Sequence, residues 1–400
     1  MPDRHFDTAS VHAGRLVIPH NRASSPPLFQ ASSYEFDDLD EIAAIYSGEV
    51  AGAVYGRYGG PNAVQFEAAI AELEGAEAAA GASAGMAAID AALATNVVSG
   101  ETIVATREVY GGTYALLEND YRARGIAVEY VDQSDLAAVR EALDRSHARI
   151  LYVEALTNPL VHVADLTALA AAAHDARAIL IVDATFATPA LIRPLEFGTD
   201  IVVHSVGKYL AGHGDVGAGV LAGRAAFVER ARAYLIRKGA TMPHFESWLA
   251  LRGVRTLALR MPKHSSNADA IAAHLAASPN VARVHHPSLT GHPDRELARR
   301  LYPRGTGGIV AFDLAGDGSA EVDRFLRGLR TIAIVHSLGE VATTISYPAV
   351  SSHRPLPPHV RHALGVGDTT LRISCGIERA EDIVADLDEA FKGLGEPLRA

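Results

Sequence analysis

From about residue 61 the hydrophobic positions of this chain alternate between short apolar runs and a spacing of three or four residues. The apolar runs predict strands at 101–105, 150–153, 179–182 and 201–203. The helical spacing predicts helices at 64–73, 87–94, 135–143 and 166–174. Strands without polar positions are typical of parallel sheets that helices cover on both faces, so this region is predicted to be an α/β domain.

The pattern differs on either side of this region. The N-terminal segment is irregular and rich in Ser, Pro, Gly and Tyr, as expected of an arm that packs on another body or subunit. The C-terminal part predicts a long helix at about 246–275, strands at 307–313 and 371–374, and a closing helix at 381–391. The alanine-rich patches are interpreted as ordinary helical sequence, that is, as helix filling. The predicted divisions are an arm over 1–60, an α/β domain over 61–255 and an α+β domain over 256–400.

Composition narrows the class of protein. A length of 400 residues exceeds what one core supports and predicts two or three domains. The net charge of -11 argues against nucleic acid or an anionic membrane as the main partner. The single cysteine, Cys375, excludes an intrachain disulfide. With no apolar signal core and no uncharged run of membrane-spanning length, we expect a cytoplasmic protein.

Lysine is scarce in this chain, with four copies among 36 basic residues. An amine can lose its proton and bind an aldehyde covalently, which a guanidinium cannot do. Lys208 follows the apolar run 201–203, and Glu154 and Asp183 also stand just past predicted strands, where open α/β sheets bind ligands. Small residues and glycines around Lys208 suit a flat cofactor, although a surface lysine in a glycine-rich loop is the alternative.

Three further features point in the same direction. Gly85 and Met86 open a predicted helix, where backbone N–H groups bind phosphate; a plain helix cap is the alternative. Asp183 would keep a pyridinium nitrogen protonated, or would simply cap a loop. Tyr110 stands beside two glycines and would stack on a flat ring, or would form a turn with a half-buried tyrosine. With Lys208, these features together indicate pyridoxal 5'-phosphate.

In the order and spacing of these residues the chain resembles the Cys/Met-metabolism family of pyridoxal-phosphate enzymes. This fold-type I group includes cystathionine γ-synthase, cystathionine γ-lyase, methionine γ-lyase and the homoserine-ester sulfhydrylases. The resemblance extends from residues 11–14 to residues 377–382. It implies a mostly parallel sheet sandwiched by helices, with an N-terminal arm and a small C-terminal α+β domain.

The resemblance also implies roles for individual residues. Lys208 would hold the cofactor and move protons, and Tyr110 would stack on the ring and act as an acid or base near the leaving group. The other cofactor-binding residues would be Gly85, Met86 and Ser205 at the phosphate, Asp183 at the pyridinium, Glu154 and Asn158 near the ring, and Tyr55 and Arg57 reaching a neighbouring subunit's phosphate. The substrate carboxylate would be held by Arg372, with Ser337, Leu338 and Tyr55 beside it.

The implied reaction is γ-elimination from a γ-substituted amino acid. The alternatives are γ-replacement, as in cystathionine γ-synthase or an O-acylhomoserine sulfhydrylase, and a catalytically silent cofactor-binding protein. Gly207, Ala184, His336 and Ala342 depart from the usual family residues, which favours a specialised substrate. Gly112 stands where methionine γ-lyases typically carry cysteine, which argues against methionine as the main substrate.

The resemblance implies a dimer as the catalytic unit, commonly within a homotetramer, acting on a small amino acid. Eighteen histidines are present, but no H-E-x-x-H motif or Cys/His ligand spacing appears, so no metal is expected. The stretch 212–217 fits a dinucleotide-binding glycine pattern, yet it does not join a strand to a helix start. We therefore set a dinucleotide site aside.

Overall fold

The computed structural model describes residues 4–14, 23–316 and 318–394. The helices of this part are α1 (Phe6–His12), α2 (Leu39–Ser47), α3 (Pro61–Glu74), α4 (Gly85–Ala94), α5 (Gly111–Ala115), α6 (Leu136–Ser146), α7 (Leu166–Asp175), α8 (Thr188–Leu191), α9 (Ala225–Lys238), α10 (His244–Val254), α11 (Leu257–Ala276), α12 (Arg295–Leu301), α13 (Ser319–Gly328), α14 (Pro358–Ala363) and α15 (Ala380–Lys392). The strands are β1 (Ala78–Ala82), β2 (Thr102–Thr106), β3 (Ala127–Val131), β4 (Ile150–Glu154), β5 (Ile179–Asp183), β6 (Ile201–Ser205), β7 (Gly219–Gly223), β8 (Val281–His285), β9 (Ile309–Leu314), β10 (Ala333–Ile334), β11 (Thr344–Ser346) and β12 (Thr370–Ser374).

A seven-stranded sheet in the order β1-β7-β6-β5-β4-β2-β3 forms the larger of two sheets. Strands β2 to β6 run parallel, and β7 runs antiparallel to both of its neighbours. All residues of β2, β4 and β7 are buried, as the apolar runs require of strands covered on both faces. The predicted mostly parallel α/β sheet is confirmed. Register pairs Glu154 with Asp183, so two acidic side chains meet at the carboxyl edge.

The smaller sheet has five strands in the order β10-β11-β12-β9-β8. Its central strands β9 and β12 are antiparallel, and α13, α15 and part of α11 pack against them. Phe312, Phe325 and Phe391 anchor this core, with the last two ring centroids 4.9 Å apart. Such aromatic pairs contribute about 0.5–1.5 kcal/mol beyond area burial. This α+β unit agrees with the predicted fold class, whereas the divisions at residues 60 and 255 stay predictions.

The predicted long helix at 246–275 is wrong in one respect, because the structure has two helices there, α10 and α11. The chain turns at Thr256, whose Oγ1 donates to the Gly253 carbonyl at the end of α10 at 3.1 Å and accepts a hydrogen bond from Arg260 Nε at 3.0 Å. Arg260 Nη2 also donates to the Gly253 carbonyl at 2.9 Å. A side chain thus satisfies a carbonyl that a continuous helix would have used, and this long-range role of an arginine has no signature in the periodicity.

Two other expectations also need correction. The arm predicted to be irregular contains α1 and α2, and α2 is capped by Asp38, whose side chain accepts from the Glu41 N–H. Residues 15–22 of the predicted arm lie outside the described residues. The alanine-rich stretch interpreted as helix filling is in part strand β1, which pairs with β7 over all five residues. Sheet pairing and burial override the helix propensity of alanine at this position.

In the described part of the chain, no helix has the length and apolar character that crossing a bilayer requires. The longest helix, α11, carries buried polar residues such as His264 and Asn267.

The buried histidine His264 predicts a loss of stability in acid. Its Nδ1 lies 2.7 Å from the Cys375 carbonyl, its Nε2 has no partner, and burial lowers its pKa from 6.5 to about 4. The unfolded chain therefore binds this proton first as pH falls below about 6.5, and stability is lost from there down to about pH 4. This lowering of the His264 pKa corresponds to a loss of about 3 kcal/mol in the free energy of unfolding between pH 6.5 and pH 4.

We expect urea unfolding of the wild type to show a stability that falls between pH 6.5 and pH 4. The variant His264→Gln keeps a donor for the Cys375 carbonyl and removes the titrating group, so its slope against pH should be shallower. The variant His359→Gln changes an exposed histidine and should keep the wild-type slope. Equal slopes for all three proteins would contradict the assignment of acid sensitivity to His264.

Candidate active site

A cleft of about 210 Å³ opens at the carboxyl edge of the large sheet, facing the small sheet. Its walls include most of the residues predicted for the site: Gly85, Met86, Tyr110, Glu154, Asn158, Asp183, Ser205, Lys208, Ser337, Leu338 and Arg372. These positions are up to 287 residues apart (372 minus 85), and the two sheets bring them together. Tyr55 and Arg57 do not line the cleft of their own chain.

Lys208 follows β6 through a tight turn, in which its N–H donates to the Ser205 carbonyl at 3.3 Å. Its Nζ donates to Ser337 Oγ at 2.9 Å across the cleft. Burial, and next the positive charge of Arg372, lower the pKa of the Lys208 amine. A lowered pKa increases the neutral, nucleophilic fraction of the amine at neutral pH.

The glycine before this lysine is required by the backbone. A Cβ at Gly207 would lie 2.1 Å from the Val216 carbonyl oxygen, well inside any van der Waals contact. Gly207 is one of the departures from the family pattern. The threonine usual at this position would therefore need a different path for the chain around Val216.

Two carboxylates lie side by side on the floor of the cleft. Asp183 Oδ1 accepts from the Thr185 N–H at 2.9 Å, and Tyr152 Oη lies 3.4 Å from Asp183 Oδ2. Glu154 accepts from the N–H groups of Tyr110 at 2.6 Å and Asn158 at 3.0 Å. Desolvation raises the pKa of both, and for Glu154 the charge of Asp183 raises it further. A pair of this kind favours a bound positive charge near it.

Arg372, on β12, forms the opposite wall and is only 3% exposed. Its Nη1 donates to Asn158 Oδ1 at 2.9 Å and its Nη2 to the Ser337 carbonyl at 3.0 Å. Its Nε has no hydrogen-bond partner in the described structure, and burial lowers its pKa to about 10. A buried guanidinium with no carboxylate partner and an unused donor indicates a binding site for a carboxylate.

The N-terminus of α4 supplies an anion site at one end of the cleft. Gly85 begins this ten-residue helix, and its unbonded N–H groups and the helix dipole favour negative charge. A Cβ on Gly85 would lie 2.8 Å from Ser205 Cβ, so only glycine lets β6 and α4 approach this closely. The Ser205 N–H donates to Thr185 Oγ1 at 2.9 Å, which fixes the strand end beside the helix.

Tyr110 stands at the entrance, with 36% of its surface exposed. The hydrogen bond from its N–H to Glu154 anchors its backbone. A Cβ at Gly112 would lie 2.4 Å from Cε1 of the Tyr110 ring. Any side chain at residue 112, including the cysteine typical of methionine γ-lyases, would thus require this ring to move. Gly112 therefore permits the present orientation of Tyr110.

Tyr55 and Arg57 lie on the arm, away from the cleft. Tyr55 is 46% exposed, and Arg57 Nη1 donates to the Ile236 carbonyl at 2.9 Å. The Arg57 guanidinium carbon lies 4.8 Å from the centroid of the Tyr58 ring. Within one chain these residues have no contact with the predicted cofactor site.

Seven residues of the cleft were not predicted as site residues: Ala84, Ile89, Leu156, Thr185, Phe186, His336 and Ser352. Thr185 carries a usable signal, because an aspartate followed two residues later by a threonine forms a local Asx-type turn at a strand end. Ser352 carries none, since it reaches the cleft from an irregular segment of the small domain. His336 was noted as a departure; partial desolvation, Arg372 and Lys208 lower its pKa.

The cleft combines a lysine of lowered pKa with a carboxylate pair, and it adds an arginine with an unused donor and a helix N-terminus that favours anions. This combination is typical of enzymes that depend on pyridoxal phosphate. The family model of the Cys/Met metabolism PLP-dependent enzymes matches residues 7–392. The chain belongs to this family.

Individual relatives carry different activities in their names. The chain is 40% identical over 389 residues to an O-succinylhomoserine sulfhydrylase of Pseudomonas aeruginosa, covering 97% of this chain and 96% of the relative. It is 36% identical to an L-methionine gamma-lyase of Pseudomonas putida, covering 97% of each. The crystal structure of cystathionine gamma synthase from Xanthomonas oryzae pv. oryzae with aminoacrylate and cysteine matches with a TM-score of 0.93 and 34% identity, covering 99% of this chain and 100% of that one.

The residues present fit pyridoxal phosphate. Among the described residues, Asp183 has no lysine, arginine or histidine within ion-pair distance, so a protonated ring nitrogen would supply its missing counter-charge. The Gly85 terminus suits the phosphate, and Lys208 suits the aldehyde. The predicted cofactor is therefore confirmed at the level of the family, and the contacts of each residue remain proposals.

Proposed function

We propose that this protein catalyses γ-elimination from a γ-substituted amino acid, with pyridoxal phosphate as its cofactor. The observation that carries the proposal is the pairing of Lys208 and Arg372 across one cleft through Ser337. Ser337 therefore stands between the Lys208 amine, which would transfer protons, and the Arg372 guanidinium, which would bind an amino-acid carboxylate. Relatives named L-methionine gamma-lyase and cystathionine gamma-lyase are 36% and 38% identical to this chain and support this reaction.

When bound, pyridoxal phosphate supplies an electron-withdrawing ring that accepts the electron pair released at the α-carbon. Asp183 would keep the ring nitrogen protonated, and Gly85, Met86 and Ser205 would hold the phosphate. Glu154 accepts hydrogen bonds from two backbone N–H groups and so fixes the segments whose Tyr110 and Asn158 would contact the ring.

The reacting groups would be divided between two walls of the cleft. Arg372 binds the α-carboxylate through its unused Nε, with Ser337 and Leu338 beside it. Lys208 removes the proton from the α-carbon and then moves a proton at the β-carbon, a role that its lowered pKa favours. Tyr110 donates a proton to the γ-leaving group at the entrance.

A second candidate is γ-replacement, in which a thiol or sulfide takes the place of the leaving group. It is favoured by the 40% identity to an O-succinylhomoserine sulfhydrylase and by the structural match to a cystathionine gamma synthase. Gly112, which lets the Tyr110 ring occupy the space of the usual cysteine, argues against methionine as the main substrate. Both reactions use the same residues and differ in what reaches the γ-carbon.

The catalytic unit is proposed to be a dimer within a homotetramer in the cytoplasm. In support, Tyr55 is half exposed on an arm that also exposes other large apolar side chains, including Leu39, Tyr46, Val50 and Tyr58. Apolar exposure of this extent is typical of a subunit interface. In the dimer, Tyr55 and Arg57 would complete the phosphate and substrate site of the neighbouring subunit. The one cysteine is buried, which agrees with a reducing compartment.

The proposal is tested by incubating the cofactor-loaded protein with cystathionine, methionine and acylated homoserines and measuring 2-oxo acid and ammonia. Release without an added nucleophile is expected, with an acylated homoserine or cystathionine consumed faster than methionine. Consumption only when cysteine or sulfide is present would replace the proposal with γ-replacement. No consumption under either condition, with the cofactor bound, would contradict both.

A further inference from the structure

Three side chains of the kinds that bind metal ions lie together outside the predicted cofactor cleft. His162, His292 and Asp294 each offer one ligand atom, and these atoms all lie within 4.8 Å of one another. His162 Nδ1 is 3.1 Å from Asp294 Oδ2, and the two imidazole centroids are 5.5 Å apart. All three side chains are partly buried.

The spacing of these atoms fits metal coordination. Bonds of about 2.0–2.1 Å in a tetrahedral zinc site place neighbouring ligand atoms about 3.3 Å apart. The 3.1 Å between His162 Nδ1 and Asp294 Oδ2 is already close to this value. The ligand atom of His292 lies within 4.8 Å of both, so a rotation of its side chain would bring it to bonding distance. An ion pair between His162 and Asp294 accounts for that contact. His292 Nδ1 accepts a hydrogen bond from the Asp294 N–H at 3.2 Å, so both imidazoles are held beside the same aspartate.

The surroundings also favour a cation. Glu108 and Asp132 both act electrostatically on His162 and add negative charge beside the cluster. Arg283 acts on His292 with the opposite sign, so two carboxylates outnumber one guanidinium here. His162 and His292 line a cleft of about 420 Å³ that is separate from the predicted cofactor cleft. This space leaves room for a water molecule at an open coordination position. Asp294 is held in place, since its Oδ2 also accepts from the Val163 N–H at 3.0 Å.

We propose that His162, His292 and Asp294 bind one divalent transition-metal ion, of which Zn²⁺ is the representative. Two imidazoles and one carboxylate are the donor set that zinc and its neighbours prefer over magnesium or calcium. The sequence pattern could not show this site, because 130 residues separate His162 from His292. The expectation that the chain binds no metal rested on local spacing alone.

The metal would link the two parts of the enzyme. His162 lies between β4 and α7, and its N–H donates to Thr157 Oγ1, next to Asn158 in the cofactor cleft. His292 and Asp294 lie between β8 and α12, on the side of the small sheet. A bound ion would therefore fix the loop that carries Asn158 to the segment after β8. Its removal is expected to lower the thermal midpoint without removing the cofactor.

The test uses the cofactor-loaded protein, freed of metal by a chelator and titrated calorimetrically with Zn²⁺ in a weakly coordinating buffer. One Zn²⁺ per chain is expected, with no change in the absorbance of the cofactor. His292→Ala should weaken binding by more than about tenfold, because loss of even an outer-shell partner costs 10- to 100-fold in affinity. His359→Ala, which removes an exposed histidine elsewhere, should bind as the wild type does.

Co²⁺ provides an independent readout. It should give the visible bands of a four-coordinate site in the wild type and in His359→Ala, and these bands should disappear in His292→Ala. If His292→Ala fails to fold, His292→Gln, which keeps the size of the side chain, is used in its place. Absence of Zn²⁺ binding by the wild type, or equal affinity in the wild type and the His292 variant, would overturn the proposal. Neither result depends on which amino acid the enzyme converts.

Discussion

Replacement of Lys208 by alanine is expected to reduce turnover by at least about 10⁴-fold, because one positioned acid–base group contributes ~10²–10⁴ and covalent attachment of the cofactor is lost as well. Burial and the charge of Arg372 lower the pKa of the Lys208 amine, which lies 2.9 Å from Ser337 Oγ. No other lysine lines the described cleft, so no neighbouring amine can take over. Turnover is measured as 2-oxo acid release, and attachment as cofactor retained on the denatured chain after borohydride has reduced the imine to a stable amine.

Two controls separate chemistry from folding. Lys392→Ala removes an exposed lysine on α15 and should keep wild-type turnover. Small primary amines added to Lys208→Ala should restore part of the activity, because the truncated side chain leaves room for them beside Ser337. Turnover of Lys208→Ala within about tenfold of the wild type, far less than the ~10²–10⁴ of one acid–base group, would contradict its role.

Replacement of Asp183 by asparagine is the second large effect, with an expected loss of turnover of roughly 10²- to 10⁴-fold. Breaking an ion pair shielded from water costs about 3–5 kcal/mol, which converts to that range at 1.36 kcal/mol per decade. Asparagine is nearly the same shape and still accepts from the Thr185 N–H. The variant therefore removes the charge that would keep the cofactor nitrogen protonated and leaves the geometry in place. Steady-state turnover and the cofactor absorbance spectrum are the measurements.

Stability gives a separate readout for this substitution. Desolvation raises the pKa of Asp183, so removing its charge should leave the free energy of unfolding of the cofactor-free protein unchanged or higher. The matched control is Asp386→Asn, a buried aspartate of the small domain that accepts from the N–H groups of Arg330, Thr331 and Ile332. This control should lose stability and keep turnover. Equal turnover in Asp183→Asn and the wild type would exclude the pyridinium role.

Part of the cofactor site could be predicted from the sequence by a simple rule. Glu154, Asp183 and Lys208 each follow an apolar run, and parallel strands end at a common edge, so their side chains must come close together. The helix start at Gly85 was also readable from local pattern. Arg372 and Ser337 were not readable in this way, because Arg372 lies on β12 of the small sheet and Ser337 follows β10, and only the resemblance to a family assigned them.

The secondary structure was likewise predictable only where a local pattern determines it. The buried strands β4, β5 and β6 are continuous apolar runs, and the structure places them close to the predicted bounds. Strand β1 has the sequence AAAGA, which local propensity assigns to helix or turn. It is a strand because β7 offers five residues of backbone to pair with. The turn at Thr256 likewise depends on Arg260, whose hydrogen bonds reach Gly253 and Tyr209.

The sequence by itself determined the class of fold, the cofactor and the residues at the strand ends, because these depend on periodicity and on side-chain chemistry read one segment at a time. Only the tertiary structure decided how Arg372 and Ser337 meet Lys208, why Gly207 and Gly112 leave no room for a side chain, and that His162, His292 and Asp294 lie together. These are contacts between distant segments. They depend on how two sheets pack against each other, and no local pattern encodes that packing.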